Sequence, residues 1–147
     1  MAQYKKLLLA VDFHADNDAI VAKAKEVADS NDSELFLIHV NEPLAIAYAT
    51  DGLGWSDQIA VLEANMRREG EQKLAALGNN LGCDSDHCLT REGKPADEIH
   101  EVVKDLGIDL VVLGTHGQHG LQLLLGSTAN SVLHGSTCDV LCVRVGG

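Results

Sequence analysis

A chain of 147 residues with 46% hydrophobic content carries enough apolar side chains to bury one core, so residues 1–147 read as a single domain. Only 3% of the residues are aromatic, so that core must be aliphatic. The balance of 11 basic and 22 acidic side chains, a net charge of −11, argues against DNA or RNA as a partner, because such binding rests on Lys and Arg neutralising phosphates.

No apolar run is long enough to span a bilayer. Two lysines precede a short apolar run at the N-terminus, but the run breaks at Asp12 without a small-residue cleavage site, so it reads as a first strand of a cytoplasmic protein. Cys83, Cys88, Cys138 and Cys142 lack a histidine pair at zinc-finger spacing. They read as small, partly buried apolar residues rather than as disulfides or metal ligands.

In chain order, Lys6 to Val11 is a buried strand with Asp12 at its carboxyl end. Asp16 or Asn17 caps the next helix, whose apolar stripe is Ile20, Val21, Ala24, Val27 and Ala28. Ser33 to Val40 is the second strand, with His39 near its end. Asn41 to Ser56, which holds Tyr48 and Trp55, reads as a long loop. A long amphipathic helix follows from Asp57 to about Leu81, with Ile59, Leu62, Met66, Leu74, Leu77 and Leu81 on one stripe, interrupted by Gly70. Asp86 to Arg91 is a weaker, peripheral strand. Pro95 opens a helix and Gly107 stops it, with Ile99, Val102, Val103 and Leu106 facing the sheet. Asp109 to Leu113 is a strand buried on both faces. A glycine loop (Gly114, Gly117, Gly120, Gly126), a helix from about Ser127 to His134 and a last strand from Asp139 to Val145 complete the chain.

The alternation β-α-β-α-β-α-β-α-β implies an open five-stranded parallel α/β sheet, order 3-2-1-4-5, with right-handed crossovers and helices on both faces. Its switch point lies between strands 1 and 4 and brings Asp12 beside Gly114. Gly126 meets Ser127 and Thr128 at a helix mouth, where backbone N–H groups and the helix dipole favour an anion. This is not a Walker A loop, because no lysine lies between Lys104 and the C-terminus. Nor is it a dinucleotide fingerprint, which belongs after the first strand, where Asp12 to Asp16 contains no glycine. A receiver domain would need a phosphorylatable aspartate after strand 3 and a lysine after strand 5, and neither is in place.

The pattern G-x2-G, a spacer, then G-[ST], combined with VDF at the end of the first strand, resembles the universal stress protein family. KKLLLAVDF, LFLIHV, DLVVLGTHG and GSTANSVLHGSTCDVLCVRV fall in family order over the whole chain, and the layout is closest to the universal stress protein A branch. The resemblance implies ATP or a related adenine nucleotide at the switch point, with Mg²⁺ or Mn²⁺ on the phosphates. Ala10, Asp12 and Val40 would flank the adenine. Leu113, Gly114 and Gly117 would lie by the ribose and first phosphate, and Gly126, Ser127 and Thr128 would take the outer phosphates. The residues agree: Asp12 is suited to accept from an exocyclic amine, and glycine admits close backbone approach. The spacer departs from the ATP-binding pattern, which has nine residues where Gln118 to Leu125 supplies eight. One missing residue shifts the chain by up to about 3.5 Å.

His116 and His119, flanking Gly117, read as solvated loop residues rather than phosphate or metal ligands, and His14 and His39 as polar rim residues of the crevice. The last strand is an apolar edge guarded only by Arg144, which invites pairing with another copy; the resemblance implies a homodimer through Asp139 to Val145. The primary reading is a cytoplasmic, dimeric stress-response module that binds an adenine nucleotide. The alternatives are a nucleotide-independent dimeric interaction protein with a degenerate site and, third, a slow nucleotide hydrolase. No catalytic base, nucleophile or arginine finger is identifiable, and no residue is assigned a catalytic or metal-ligating role.

Overall fold

The computed structural model describes residues 3–13, 17–43, 57–115 and 126–144. Five strands form one sheet in the order β3-β2-β1-β4-β5: β1 (Lys6–Ala10), β2 (Glu34–Asn41), β3 (Cys88–Glu92), β4 (Leu110–Gly114) and β5 (Asp139–Val143). All the pairs are parallel, with Ala10 opposite Ile38, Leu9 opposite Val112, His39 opposite Thr90 and Val112 opposite Leu141. Order and direction agree with the alternation of apolar runs and helical stripes.

Among the described residues, four helices cover the two faces: α1 (Asp18–Asn31), α2 (Asp57–Leu81), α3 (Pro95–Leu106) and α4 (Ser127–Gly135). Strand alternation divides the core. Leu7, Leu9 and Val11 pack with Ile20, Ala24 and Ala28 of α1 and Leu74 of α2. Leu8, Ile38, Val111 and Leu113 pack with Ile99, Val102 and Val103 of α3 and Ala129 and Val132 of α4. Leu7, Leu8, Leu9, Val111 and Val112 are fully buried, as an apolar run inside a doubly covered sheet requires. Pro95 occupies the first turn of α3, and Gly107 ends it in the left-handed conformation at φ 69°, donating its N–H to the Val103 carbonyl.

The contact face of α2 differs from the sequence expectation. Gly70, Leu74 and Gly78 are its buried residues, so the glycine is part of the face rather than an interruption. A Cβ on Gly70 would stand 2.9 Å from His39 Nδ1, and one on Gly78 would stand 2.5 Å from Cys88 Sγ. The two glycines therefore let α2 approach β2 and β3 closely. Leu62, expected on the stripe, is 47% exposed, and its neighbour Val61 is 60% exposed. The reason is length: Arg67 pairs with Glu92, the last residue of β3. At 1.5 Å per residue, the turns before Arg67 overhang the carboxyl edge of the sheet by about 15 Å.

β3 also begins two residues later than expected, because Ser85–His87 form a 3₁₀ turn closed by the His87 N–H on the Asp84 carbonyl. All four cysteines are half-buried free thiols.

Candidate functional site

The carboxyl ends of β2, β1 and β4 lie side by side. Val40, Ala10 and Leu113 belong to the same apolar cluster, on the face covered by α3 and α4. Three of the expected site residues thus lie on one face of the sheet, at its carboxyl edge. Leu113 is buried, while Ala10 and Val40 are half-buried. His39 belongs to the other face: it is 8% exposed, its ring centroid lies 4.8 Å from that of Phe13, and Gly70 of α2 covers it. It is a buried residue, not a rim residue, because neighbours along a strand point to opposite faces.

At the end of β1 the ladder continues one residue past the strand, with the Val11 N–H on the Ile38 carbonyl at 3.0 Å. Asp12 follows, half-buried. Asn17 grips its backbone: Asn17 Nδ2 donates to the Asp12 carbonyl at 2.8 Å, and the Asp12 N–H donates to Asn17 Oδ1 at 3.3 Å. Asn17 occupies the N-cap position of α1, as expected, but its side chain makes no capping hydrogen bond. Its carbonyl accepts the first helical bond, from Val21 at 2.8 Å.

At the end of β4, Gly114 lies opposite Val143. The Thr115 N–H donates to the Val143 carbonyl at 2.9 Å, and the Thr115 carbonyl accepts the Gly126 N–H at 2.5 Å. These two bonds close the neck of the glycine loop and tie the start of α4 to the end of β4. Gly117, His116, His119 and the eight-residue spacer lie outside the described residues, as do His14 and Asp16 near Asp12.

The neck has a chemical consequence. Gly126 is the N-cap of α4, in extended conformation (φ −61°, ψ 158°), and having no side chain it provides no cap. Its own N–H is engaged by Thr115, and its carbonyl accepts the N–H of Asn130 at 3.0 Å. The N–H groups of Ser127, Thr128 and Ala129 complete the first turn, where an α-helix supplies no internal acceptor. The backbone N–H groups at this helix mouth are therefore those of Ser127, Thr128 and Ala129, beside the hydroxyls of the first two. Ser127 is exposed and Thr128 half-buried, which leaves the mouth open to a ligand. The far end of α4 is held by His100 of α3, whose Nε2 lies 2.8 Å from the Val132 carbonyl while its ring packs against Gly135.

Asn17, Thr115 and His100 were not among the residues expected at the site. Asn before a helix reads as a cap, and backbone bonds such as that of Thr115 leave no mark in side-chain chemistry. Among the described residues, no group of three or more His, Cys, Asp or Glu is arranged to hold a metal ion. Among the same residues, no helix is long and apolar enough to cross a membrane.

An open parallel sheet with a crevice at the β1/β4 switch point, flanked by an acidic residue on one side and a glycine-capped helix on the other, defines a doubly wound, Rossmann-like α/β protein. The chain belongs to the universal stress protein family, whose sequence model matches residues 3–144. It is 39% identical over 148 residues to universal stress protein A homolog 2 of Coxiella burnetii, covering 100% of this chain and 99% of that protein. Among solved structures it is similar to hypothetical protein MJ0577, with a TM-score of 0.78, 24% identity and 99% of each chain covered. It is also similar to a universal stress protein solved in complex with cAMP, with a TM-score of 0.56, 23% identity and coverage of 95% of this chain and 96% of that one.

Proposed function

We propose that this member of the universal stress protein family binds ATP or a related adenine nucleotide in the β1/β4 crevice and acts as a cytoplasmic, dimeric regulatory module. The observation that carries the reading is the start of α4. A glycine N-cap leaves the N–H groups of Ser127, Thr128 and Ala129 to an incoming anion, and the dipole of α4 favours negative charge there. The tie between Thr115 and Gly126 fixes that helix start relative to β4. That tie supports the reading despite a spacer one residue shorter than the family's ATP-binding pattern.

Across the switch point, the Asp12 carboxylate accepts from the exocyclic amine of adenine, Ala10 and Val40 flank the base, and Leu113 lies by the ribose. Gly114 and Gly117 let the chain approach the ribose and first phosphate. A net charge of −11 opposes a polyphosphate at long range, and Mg²⁺ or Mn²⁺ on the phosphates supplies neutralisation. The cAMP complex of a related fold is in keeping with an adenine nucleotide at this kind of sheet.

The dimer reading rests on β5. It is an edge strand paired only with β4, apolar from Val140 to Val143, and its outer hydrogen-bonding side faces away from the sheet. A second copy of β5 fits that edge.

The test of nucleotide binding is equilibrium titration of purified, nucleotide-stripped protein with ATP and Mg²⁺. Saturable binding of one nucleotide per chain is expected. Absence of binding at millimolar ATP would refute the reading and favour a nucleotide-independent interaction protein.

A further inference from the structure

We infer that Asn17 is the residue that positions Asp12 and thereby sets the base selectivity of the crevice; the inference rests on the nucleotide-binding reading above. The sheet ladder carries the chain as far as Val11, whose N–H is bonded to β2. Beyond it, Asn17 engages both polar groups of the Asp12 backbone, donating to its carbonyl at 2.8 Å and accepting its N–H at 3.3 Å. A primary amide is suited to this, since it carries one donor and one acceptor on a single planar group. Asn17 stands where a helix would take its side chain as a cap, yet the side chain makes no capping bond. Two of its side-chain hydrogen bonds go to the Asp12 backbone.

Anchoring both polar groups of the Asp12 backbone fixes the direction of its Cα–Cβ bond, from which the carboxylate projects. Such placement matters for reading a base. A carboxylate set to accept from the six-amino group of adenine meets the six-oxo group of guanine as a repulsive partner. Rejection of that kind depends on the acceptor being held in place, whereas phosphate binding at α4, on the far side of the switch point, does not.

The experiment measures dissociation constants for ATP and GTP, each with Mg²⁺, on wild-type protein, Asn17→Ala and Asn17→Asp, together with thermal unfolding and amide hydrogen exchange at Asp12 in nucleotide-free protein. Asn17→Ala should weaken ATP about five- to tenfold, the scale of one or two lost hydrogen bonds, and leave GTP nearly unchanged, so that the selectivity ratio falls. The Asp12 amide should exchange faster in this variant. Asn17→Asp retains a good N-cap residue and so keeps the fold. It removes the donor to the Asp12 carbonyl, and its selectivity should fall as well. An unchanged ATP/GTP ratio, or equal weakening of both nucleotides, would overturn the inference. If wild-type protein binds neither nucleotide, the nucleotide-binding reading fails and the selectivity role with it. An Asp12 amide that exchanges as fast in wild type as in Asn17→Ala would refute the clamp itself, whatever the nucleotide result.

Discussion

Replacing Gly126 by Asp separates the stability of α4 from its proposed ligand chemistry, because the two should change in opposite directions. Gly126 already has the extended backbone of an N-cap residue, so an aspartate there can accept from the first-turn N–H groups, those of Thr128 or Ala129. Exchanging Gly for a capping side chain contributes a few tenths of a kcal/mol, and a carboxylate at a helix N-terminus adds about 0.3–1 kcal/mol through the dipole. In a chain of this size that is an increase of roughly 1–4 °C in Tm. The same carboxylate occupies donors proposed for the phosphates and repels them. Hydrogen bonds to a charged group are worth about 1.5–3 kcal/mol each, so losing two lowers ATP affinity by about a hundredfold or more. Gly126→Asn caps without the charge and should fall between wild type and Gly126→Asp. The assays are thermal unfolding and calorimetric titration with MgATP on the three proteins. ATP affinity unchanged in Gly126→Asp, with Tm maintained, would refute the assignment of the phosphates to the start of α4.

Other predictions concern the fold that carries the site. Gly78→Ala should destabilise by about 1–2 kcal/mol, since overpacking against Cys88 Sγ, 2.5 Å from the new Cβ, outweighs the helix propensity gained. In a Cys88→Ala background the same change should become neutral or stabilising, and an urea-denaturation double-mutant cycle with no coupling would contradict the close approach of α2. Burial raises the thiols of Cys83, Cys88, Cys138 and Cys142 above their ordinary 9.0, so the unfolded chain loses these protons first. Stability should therefore be insensitive to these groups below about pH 9 and fall as pH rises through their folded values; a denaturation midpoint that stays flat above pH 9 would contradict this. Val143 turns its carbonyl toward β4, where it accepts from Thr115, so in a parallel ladder the intervening Cys142 turns its N–H outward. Cys142→Pro should be tolerated on this edge yet shift sedimentation from dimer to monomer, and an unaltered dimer would remove β5 as the interface.

The parts legible in the sequence are those where one physical requirement acts alone. Lys6–Ala10 and Leu110–Gly114 had to be buried strands because continuous apolar runs of that length need a covered sheet, and Pro95 and Gly107 marked α3 because each suits one end of a helix. The parallel direction of the strands followed from the alternation, and the expected order 3-2-1-4-5 is the one observed. Positions with two competing uses were less legible. Gly70 and Gly78 look like helix weaknesses, and only the approach of His39 and Cys88 shows them to be packing positions. His39 looks like a polar residue near a ligand end, but the parity of β2 turns it under α2. Asp86 and His87 read as the start of β3 because nothing in these two polar residues distinguishes a strand start from a 3₁₀ turn. At the strand ends, Ala10, Val40 and Leu113 fall on one face of the sheet because alternation fixes which side each faces, whereas the Asn17 clamp and the Thr115 neck are hydrogen bonds to backbone and have no residue signature.

The most direct test of nucleotide binding at the switch point is an amide-resolved NMR titration of nucleotide-free protein with MgATP. Saturable shifts should cluster at Asp12 on one side of the crevice and at Ser127, Thr128 and Ala129 on the other, with the same apparent affinity at each. No shifts at millimolar ATP, or shifts confined to residues outside this crevice, would contradict it.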